Sequence, residues 1–502
     1  MAIFEHEQQP HFVLFPFMAQ GHTIPMMDIA KLLAQRGATV TLLLTPMNLA
    51  RVRPALSRAN HELALNIHVQ ELSFPAEEAG LPLGCENFDA LPSNTMVMNF
   101  MVAIGLMQPQ LETFLMNIHP KPSCLLADMC FTYASEVARK VGIPRILFHG
   151  MCCFALLCLH HIKTSQILDT IPSDDEESFE IPGMPDRISL IRAQVKGMVA
   201  KKNEEWIELR KKFTEDEKGA YGVVLNTFEE LEPKYITNYE KVMEKKIWCV
   251  GPVSRCNKDY SDKVGRGNTA SFDVNECLKW LDLHTEPAAG SGSVIYVCLG
   301  SLCNLTPGQM LELGLGLEAS ERPFVWVIRS GAGGASGSKK LKELMLENGF
   351  EERVKTKGLV VWGWAPQVLL LSHPAVGGFL THCGWNSSME GITAGLPMLT
   401  WPLFADQFLN EKLLVDVLRV GVRIGVKKMM EFGKEEEIGV LVDKDVVKKG
   451  VEELMDGGVE GEERRKRAKE LADKAEKAGE EGGSSHISIG KFIDDMRSFP
   501  HL

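Results

Sequence analysis

Short apolar runs, each followed by a longer stretch with helical spacing, recur along this chain. In the first half they fall at residues 12–17, 39–45, 123–127, 145–148, 221–226 and 247–250. A second series follows at 294–299, 324–328, 359–362, 376–381 and 398–401. Continuous apolar runs alternating with helices predict strands buried on both faces, hence a parallel sheet in each half of an α/β protein. Between the series, Gly251-Pro252-Val253 opens a polar stretch, 254–271, rich in Lys, Asp, Asn and Gly, which reads as a linker with little core of its own. Residues 330–338 are Gly- and Ser-rich and read as a surface loop. In 462–480, Ala468, Leu471, Ala472, Ala475 and Ala478 recur at helical spacing, so the Arg464-Arg465-Lys466-Arg467 run belongs to a solvated amphipathic helix.

The chain of 502 residues is 45% hydrophobic and 24% charged, as ordinary globular proteins are. Its net charge of −12 disfavours a nucleic-acid partner, which requires a basic surface. The twelve cysteines include no CxxC pair, and several sit in apolar runs, which predicts reduced core thiols rather than disulfides or zinc. Glu5 and Glu7 ahead of a short apolar run do not make a signal peptide, and the longest apolar stretch, 146–159, falls short of the roughly 20 residues of a membrane span. A cytosolic protein without a transmembrane segment is expected. A sugar on the second of two sequons, at Asn304 and Asn386, would block the loop after residue 381 discussed next.

In open parallel sheets ligands bind beyond the carboxyl ends of the strands. His22 follows the first strand and precedes a helix whose N-terminus disfavours imidazolium, so the ring is available as a base or simply packs at the helix start. Asp128 directly follows 124–127 on the same sheet edge. It either orients one ring nitrogen of His22 or caps the helix beginning near Tyr133, and both readings stay open. Thr381-His-Cys-Gly-Trp-Asn-Ser-Ser-Met-Glu-Gly391 leads from a strand into a helix, whose free N–H groups make a phosphate site. His382, Asn386 and Ser387 are its candidate contacts, although helix capping also explains the last two.

The span 364–407, with Trp364-Ala-Pro-Gln367, His382-Cys-Gly-Trp-Asn-Ser387, Glu390 and Phe404-Ala-Asp-Gln407, resembles the plant secondary-product glycosyltransferase box in content and length. Phe15-Pro-Phe-Met-Ala-Gln-Gly-His22 and Phe148-His-Gly-Met-Cys-Cys-Phe154 extend the resemblance over nearly the whole chain, to the plant family 1 UDP-glycosyltransferases, and within it to the subgroup that glucosylates triterpenoids, flavonols, cytokinins and steroids. The resemblance implies the GT-B fold, two Rossmann-like domains facing across a cleft: 1–252 for the acceptor, a linker at 253–272, 273–480 for the UDP-sugar, and a last helix in 481–502 returning to the first domain. It implies that Trp364 stacks on uracil, that Ala365 and Gln367 hold the nucleoside and that Glu390 accepts the ribose hydroxyls. Ser301 would join His382, Asn386 and Ser387 at the diphosphate, while Trp385, Asp406 and Gln407 read the sugar. Gln407 at the last box position goes with glucose.

The implied reaction is inverting transfer of glucose from UDP-glucose to a hydroxyl of a small apolar acceptor, with His22 as base and Asp128 as its partner, and with neither metal nor cofactor. A monomer is expected. By the same resemblance, Phe17, Met18, Leu83, Met129, Phe131, Met151, Phe154 and Ala405 would line the site of a flavonoid or a triterpenoid or steroid acceptor, and because a Met-rich wall can repack, broad acceptor tolerance is expected. The acceptor loops would fall in 83–89 and 184–201. Phe148-His149-Gly150 lacks the hydroxyl residue that some family members place near the sugar's primary alcohol, which leaves one donor contact unassigned. Gly314-Leu-Gly316-Leu-Glu-Ala319 matches a dinucleotide fingerprint but lies inside a helical pattern, and Asp443-Lys-Asp445 caps a helix rather than binding a metal. The alternative is a non-catalytic nucleotide-sugar-binding protein, for which the His22 and Asp128 pair has no purpose.

Overall fold

The structure, a computed structural model, describes residues 9–171, 176–199, 204–285, 292–303, 305–328, 334–430 and 435–500. The first half contains β1 His11–Phe15, β2 Thr39–Leu44, β3 Ile67–Glu71, β4 Cys124–Asp128, β5 Arg145–His149, a small hairpin of β6 Ser178–Glu180 and β7 Ser189–Ile191, then β8 Gly222–Leu225 and β9 Lys246–Cys249. The second contains β10 Val294–Cys298, β11 Phe324–Ile328, β12 Gly358–Trp362, β13 Val376–Thr381, β14 Met398–Thr400 and β15 Gly421–Arg423. Strand order is β3-β2-β1-β4-β5-β8-β9 in one sheet and β12-β11-β10-β13-β14-β15 in the other. Every pairing in both is parallel. Both sheets reverse direction beside their first strand, the doubly wound arrangement of a Rossmann-like domain.

The central strands are buried throughout, Phe12 to Phe15 and Ile295 to Val297 having no exposed surface. Four strands escaped the sequence pattern or lie at its margin: edge strand β3, three-residue β15, and the hairpin strands β6 and β7. The helix carrying His22 begins at Gln20, so His22 lies in its first turn instead of preceding it. Residues 334–338, read as loop, open the helix Gly334–Glu347, while 329–333, like Asn304, Ala200 and Lys201, lie outside the described residues.

The stretch between the sheets is less solvated than its composition suggests. Ser254, Cys256, Asn257 and Asp262 are buried, and Asn257 receives Lys31 Nζ at 2.8 Å and donates to Asp28 at 2.8 Å. Polar side chains pair there with helix Gln20–Ala34, so a polar segment is fixed without an apolar core. Helix Ser484–Arg497 lies on the first sheet, where Phe492 packs 5.3 Å from Phe12 and 4.9 Å from Trp248. In helix Val459–Gly479, Arg464, Ala468, Leu471, Ala475 and Ala478 face inward, and Arg464 donates to the Glu453 carbonyl at 3.0 Å. All twelve cysteines are free thiols. Among the described residues no helix is long and apolar enough to cross a membrane.

Gly314 and Gly316 sit inside helix Pro307–Ala319, where a Cβ at Gly316 would meet Val447 Cβ at 2.4 Å. Their role is close helix packing, which disposes of the dinucleotide fingerprint. Gly316→Ala is expected to cost about 1–3 kcal/mol of stability as overpacking, measured as a lower urea midpoint. Asp443 caps helix Lys444–Leu454 by accepting from Asp445 N and Val446 N.

Candidate functional site

In the first sheet, β1 and β4 are neighbours at the point where strand order reverses, with Phe15 opposite Ala127. The loops beyond them diverge and leave a crevice. β1 leads into the helix that carries His22, and β4 ends on Asp128. His22 Nδ1 lies 2.6 Å from Asp128 Oδ2, with the imidazole 28% exposed and the carboxylate fully buried. Asp128 Oδ1 accepts the Cys130 N–H at 3.1 Å. Helix Ala134–Val141 has no side-chain cap, so of the two open readings of Asp128 the orienting one is realised.

This contact also decides the ring's charge preference. Burial pulls the His22 imidazolium down, but the charge and hydrogen bond of Asp128, with Asp406 adding to them, raise it above the ordinary imidazole value. Burial likewise pushes Asp128 up, and His22 and the Cys130 N–H hold it below the usual carboxylate range. The expected disfavouring of imidazolium by the helix N-terminus is outweighed. With Nδ1 held, Nε2 is the ring nitrogen left for a ligand.

The second sheet repeats the arrangement at β10 and β13, where Cys298 stands opposite Thr381. Gly300, at φ +80°, lets the chain turn against His382, whose ring would lie 2.5 Å from any Cβ there. After His382 and Cys383, helix Trp385–Thr393 begins with Gly384 as an N-cap that offers no side chain to its first N–H groups. Asn386 and Ser387 lie within this first turn and are not its caps. Asn386 Nδ2 donates across the cleft to the Gly21 carbonyl, and Ser387 Oγ lies 3.1 Å from Gln367 Nε2. The helix therefore presents free N–H groups and a positive dipole end. Burial pushes His382 down to about 4, so the ring is a neutral donor there, and its Nδ1 has no partner.

A cavity of about 510 Å³ joins the two edges, lined by His22, Ser301, Trp364, Ala365, Gln367, His382, Trp385, Asn386, Ser387, Glu390, Ala405, Asp406 and Gln407. Every residue expected at the UDP-sugar is thus on one wall system with the candidate base. Their hydrogen bonds specify which groups remain for a ligand. Gln407 Oε1 accepts from Leu403 N at 2.8 Å and Phe404 N at 3.0 Å, which leaves its Nε2 as a donor. Asn410 donates to Asp406 at 2.8 Å, while burial pushes Asp406 up to about 6. The Trp385 indole N–H is spent on the Asn226 carbonyl at 2.8 Å, so this side chain ties the two halves together and only its backbone N–H is left for a sugar. Among the described residues no group of three His, Cys, Asp or Glu could hold a metal ion.

Of the eight expected acceptor residues, Ala405 alone lines this cavity, and the other seven fall into three groups. Phe17 stands edge-on to His22 with centroids 5.3 Å apart, and Met129 and Met151 are half-buried. Met18 is 2% exposed, and Phe131 and Phe154 have no exposed surface. Phe131 stacks on Phe15 and Phe154 packs edge-on to Tyr235, so both back the wall rather than line it. Leu83 is 82% exposed.

Two residues that the sequence did not single out join the site. Asn226, just past β8, donates to Asn386 Oδ1 at 3.2 Å, accepts from Trp385 and takes the Val253 N–H at 3.0 Å. Arg266 bridges Asp28 and Glu390. Asn226→Ala leaves buried partners unsatisfied, and a loss of about 1–3 kcal/mol is expected in chemical denaturation. Polarity at a strand's carboxyl end was the available signal for Asn226; Arg266 gave none.

Residues 275–493 match the family model described as UDP-glucoronosyl and UDP-glucosyl transferase, and residues 9–255 match the one described as glycosyltransferase, N-terminal domain. UDP-glycosyltransferase 73C11 of Barbarea vulgaris is 52% identical, covering 98% of this chain and 97% of its own. UDP-glycosyltransferase 73C3 of Arabidopsis thaliana is 51% identical with the same coverage. Among solved structures, Glycyrrhiza uralensis UGT73P12 complexed with glycyrrhetinic acid 3-O-monoglucuronide superposes with a TM-score of 0.85 at 34% identity, covering 98% of this chain and 96% of that one. Medicago truncatula UGT71G1 complexed with UDP-glucose gives 0.75 at 26% identity, covering 98% and 100%. With two parallel doubly wound sheets across a shared cleft and relatives of this similarity over nearly its full length, the chain belongs to the plant family 1 UDP-glycosyltransferases, enzymes of the GT-B fold.

Proposed function

We propose that this enzyme transfers glucose from UDP-glucose, with inversion and without a metal or cofactor, to a hydroxyl of a small apolar plant metabolite such as a flavonoid or a triterpenoid or steroid aglycone. The observation that carries the reading is the 2.6 Å contact of His22 and Asp128 in the cavity that also holds the N-terminus of helix Trp385–Thr393. His22 Nε2 removes the acceptor's hydroxyl proton as oxygen attacks the anomeric carbon, and Asp128 stabilises the imidazolium that forms. The bond from that carbon to the diphosphate breaks on the opposite face. The departing UDP takes the electron pair, stabilised by the helix N–H groups, Ser301, neutral His382, Asn386 and Ser387.

Gln407 Nε2 and the Asp406 carboxyl are a donor and an acceptor suited to neighbouring sugar hydroxyls. A solved relative, UGT71G1, carries UDP-glucose, and this supports the choice of donor. The acceptor side is supported by Phe17 beside His22 and by the half-buried Met129 and Met151. The test is turnover of UDP-glucose, UDP-galactose and UDP-glucuronate against flavonols, triterpenoids and phenols, followed by product mass. A hexose adduct formed fastest from UDP-glucose is expected. Tight UDP-glucose binding with no adduct on any acceptor would favour a non-catalytic binding protein, and preference for another sugar would remove the glucose assignment.

A further inference from the structure

We propose that Arg266, in the segment between the two sheets, is a positioning residue for nucleotide recognition: it sets the Glu390 carboxylate to receive ribose hydroxyls and ties that carboxylate to the first half of the molecule. The inference rests on the reading of the cavity as a UDP-sugar site. Arg266 Nε donates to Asp28 Oδ2 at 2.8 Å, and its Nη1 donates to Glu390 Oε1 at 2.5 Å. The three side chains are 9%, 2% and 7% exposed, and Arg266 itself lines the cavity.

The contacts on either side make this more than one ion pair. Glu390 Oε2 accepts from Gln367 Nε2 at 2.8 Å, and the same nitrogen reaches Ser387 Oγ. Asp28 Oδ1 accepts from Asn257, which in turn receives Lys31. One polar chain therefore runs from helix Gln20–Ala34 through the connecting segment to the residues at the nucleoside. A carboxylate offers about four acceptor positions, so Glu390 retains capacity for two hydroxyl donors after Arg266 and Gln367 are bound.

Removing the guanidinium would leave two buried carboxylates without their shared cation, and Glu390 without the contact that fixes its rotamer. Lysine cannot replace it fully, because one ammonium on a flexible stem lacks the planar fork that spans both carboxylates. The next residue, Gly267, lies against the Trp364 ring, where a Cβ would come within 2.4 Å of Cζ2. The same segment thus touches both the surface expected under uracil and the group expected at the ribose.

The experiment is calorimetric titration of the full chain with UDP and with the dideoxyribose analogue of UDP, for wild type, Arg266→Ala and Arg266→Lys. Wild type is expected to prefer UDP. Arg266→Ala is expected to lose about 10- to 100-fold in affinity for UDP and little for the analogue, because the lost contact is to hydroxyls the analogue lacks. Arg266→Lys should fall between and serves alone if the alanine variant does not fold. Equal loss for both ligands, or no loss for UDP, would overturn the proposal, since a merely structural bridge does not distinguish them. Wild type that binds neither nucleotide would instead overturn the UDP-sugar reading, and the proposal with it.

Discussion

His22→Ala is expected to lower kcat for transfer to an aliphatic hydroxyl by roughly 10²–10⁴-fold, the range general base catalysis supplies. The dissociation constant of UDP-glucose should stay nearly unchanged, because the residues proposed to hold the diphosphate, nucleoside and sugar belong to the second half of the chain. The size of the loss should depend on the acceptor. A phenol of low pKa is partly ionised and gives up its proton readily, so it depends less on a base than an aliphatic alcohol does. A plot of log kcat against acceptor pKa measures this, with a steeper slope expected for the variant. An equal loss in donor affinity and in rate would mean that His22 holds the donor instead.

Asp128→Asn should produce the second large effect, a fall in kcat of roughly 10²–10⁴-fold with little change in fold. Its diagnostic consequence is in the pH profile. The base must be neutral to act, and Asp128 holds the His22 imidazolium above the ordinary value. In wild type kcat/KM therefore rises with pH through a midpoint above that of free imidazole. In the variant the carboxylate's charge is gone and burial, which lowers the ring, dominates. The acidic limb should move to lower pH even as the plateau falls. A profile whose midpoint does not move would show that another group titrates.

Much of this architecture was legible because buried parallel strands are continuous apolar runs. Residues 324–328 and 376–381 coincide with β11 and β13 for that reason. β3, Ile-His-Val-Gln-Glu, is an edge strand with a single buried position and carries no such run. β15 spans three residues, too few for any period. At the site, small and polar residues at strand ends announced the second switch point, since few other roles require Gly, His and Asn there. Arg266 was hidden because a charge in a Lys-, Asp- and Asn-rich stretch looks solvated, and its partners lie 238 and 124 residues away. The acceptor wall was only partly readable: Phe131 and Phe154 stand beside the right loops, but position along the chain does not say that Phe15 and Tyr235 cover them.

The central claim is that His22, held by Asp128, drives glucosyl transfer from UDP-glucose to a hydroxyl. Its most direct test is product formation from UDP-glucose and a mixed flavonol, triterpenoid and phenol panel, by wild type and His22→Ala side by side, with mass and anomeric configuration of the product determined. The account predicts a single hexose joined through oxygen in the β configuration, and its loss in the variant. Product of retained α configuration, or an undiminished rate in His22→Ala, would contradict it.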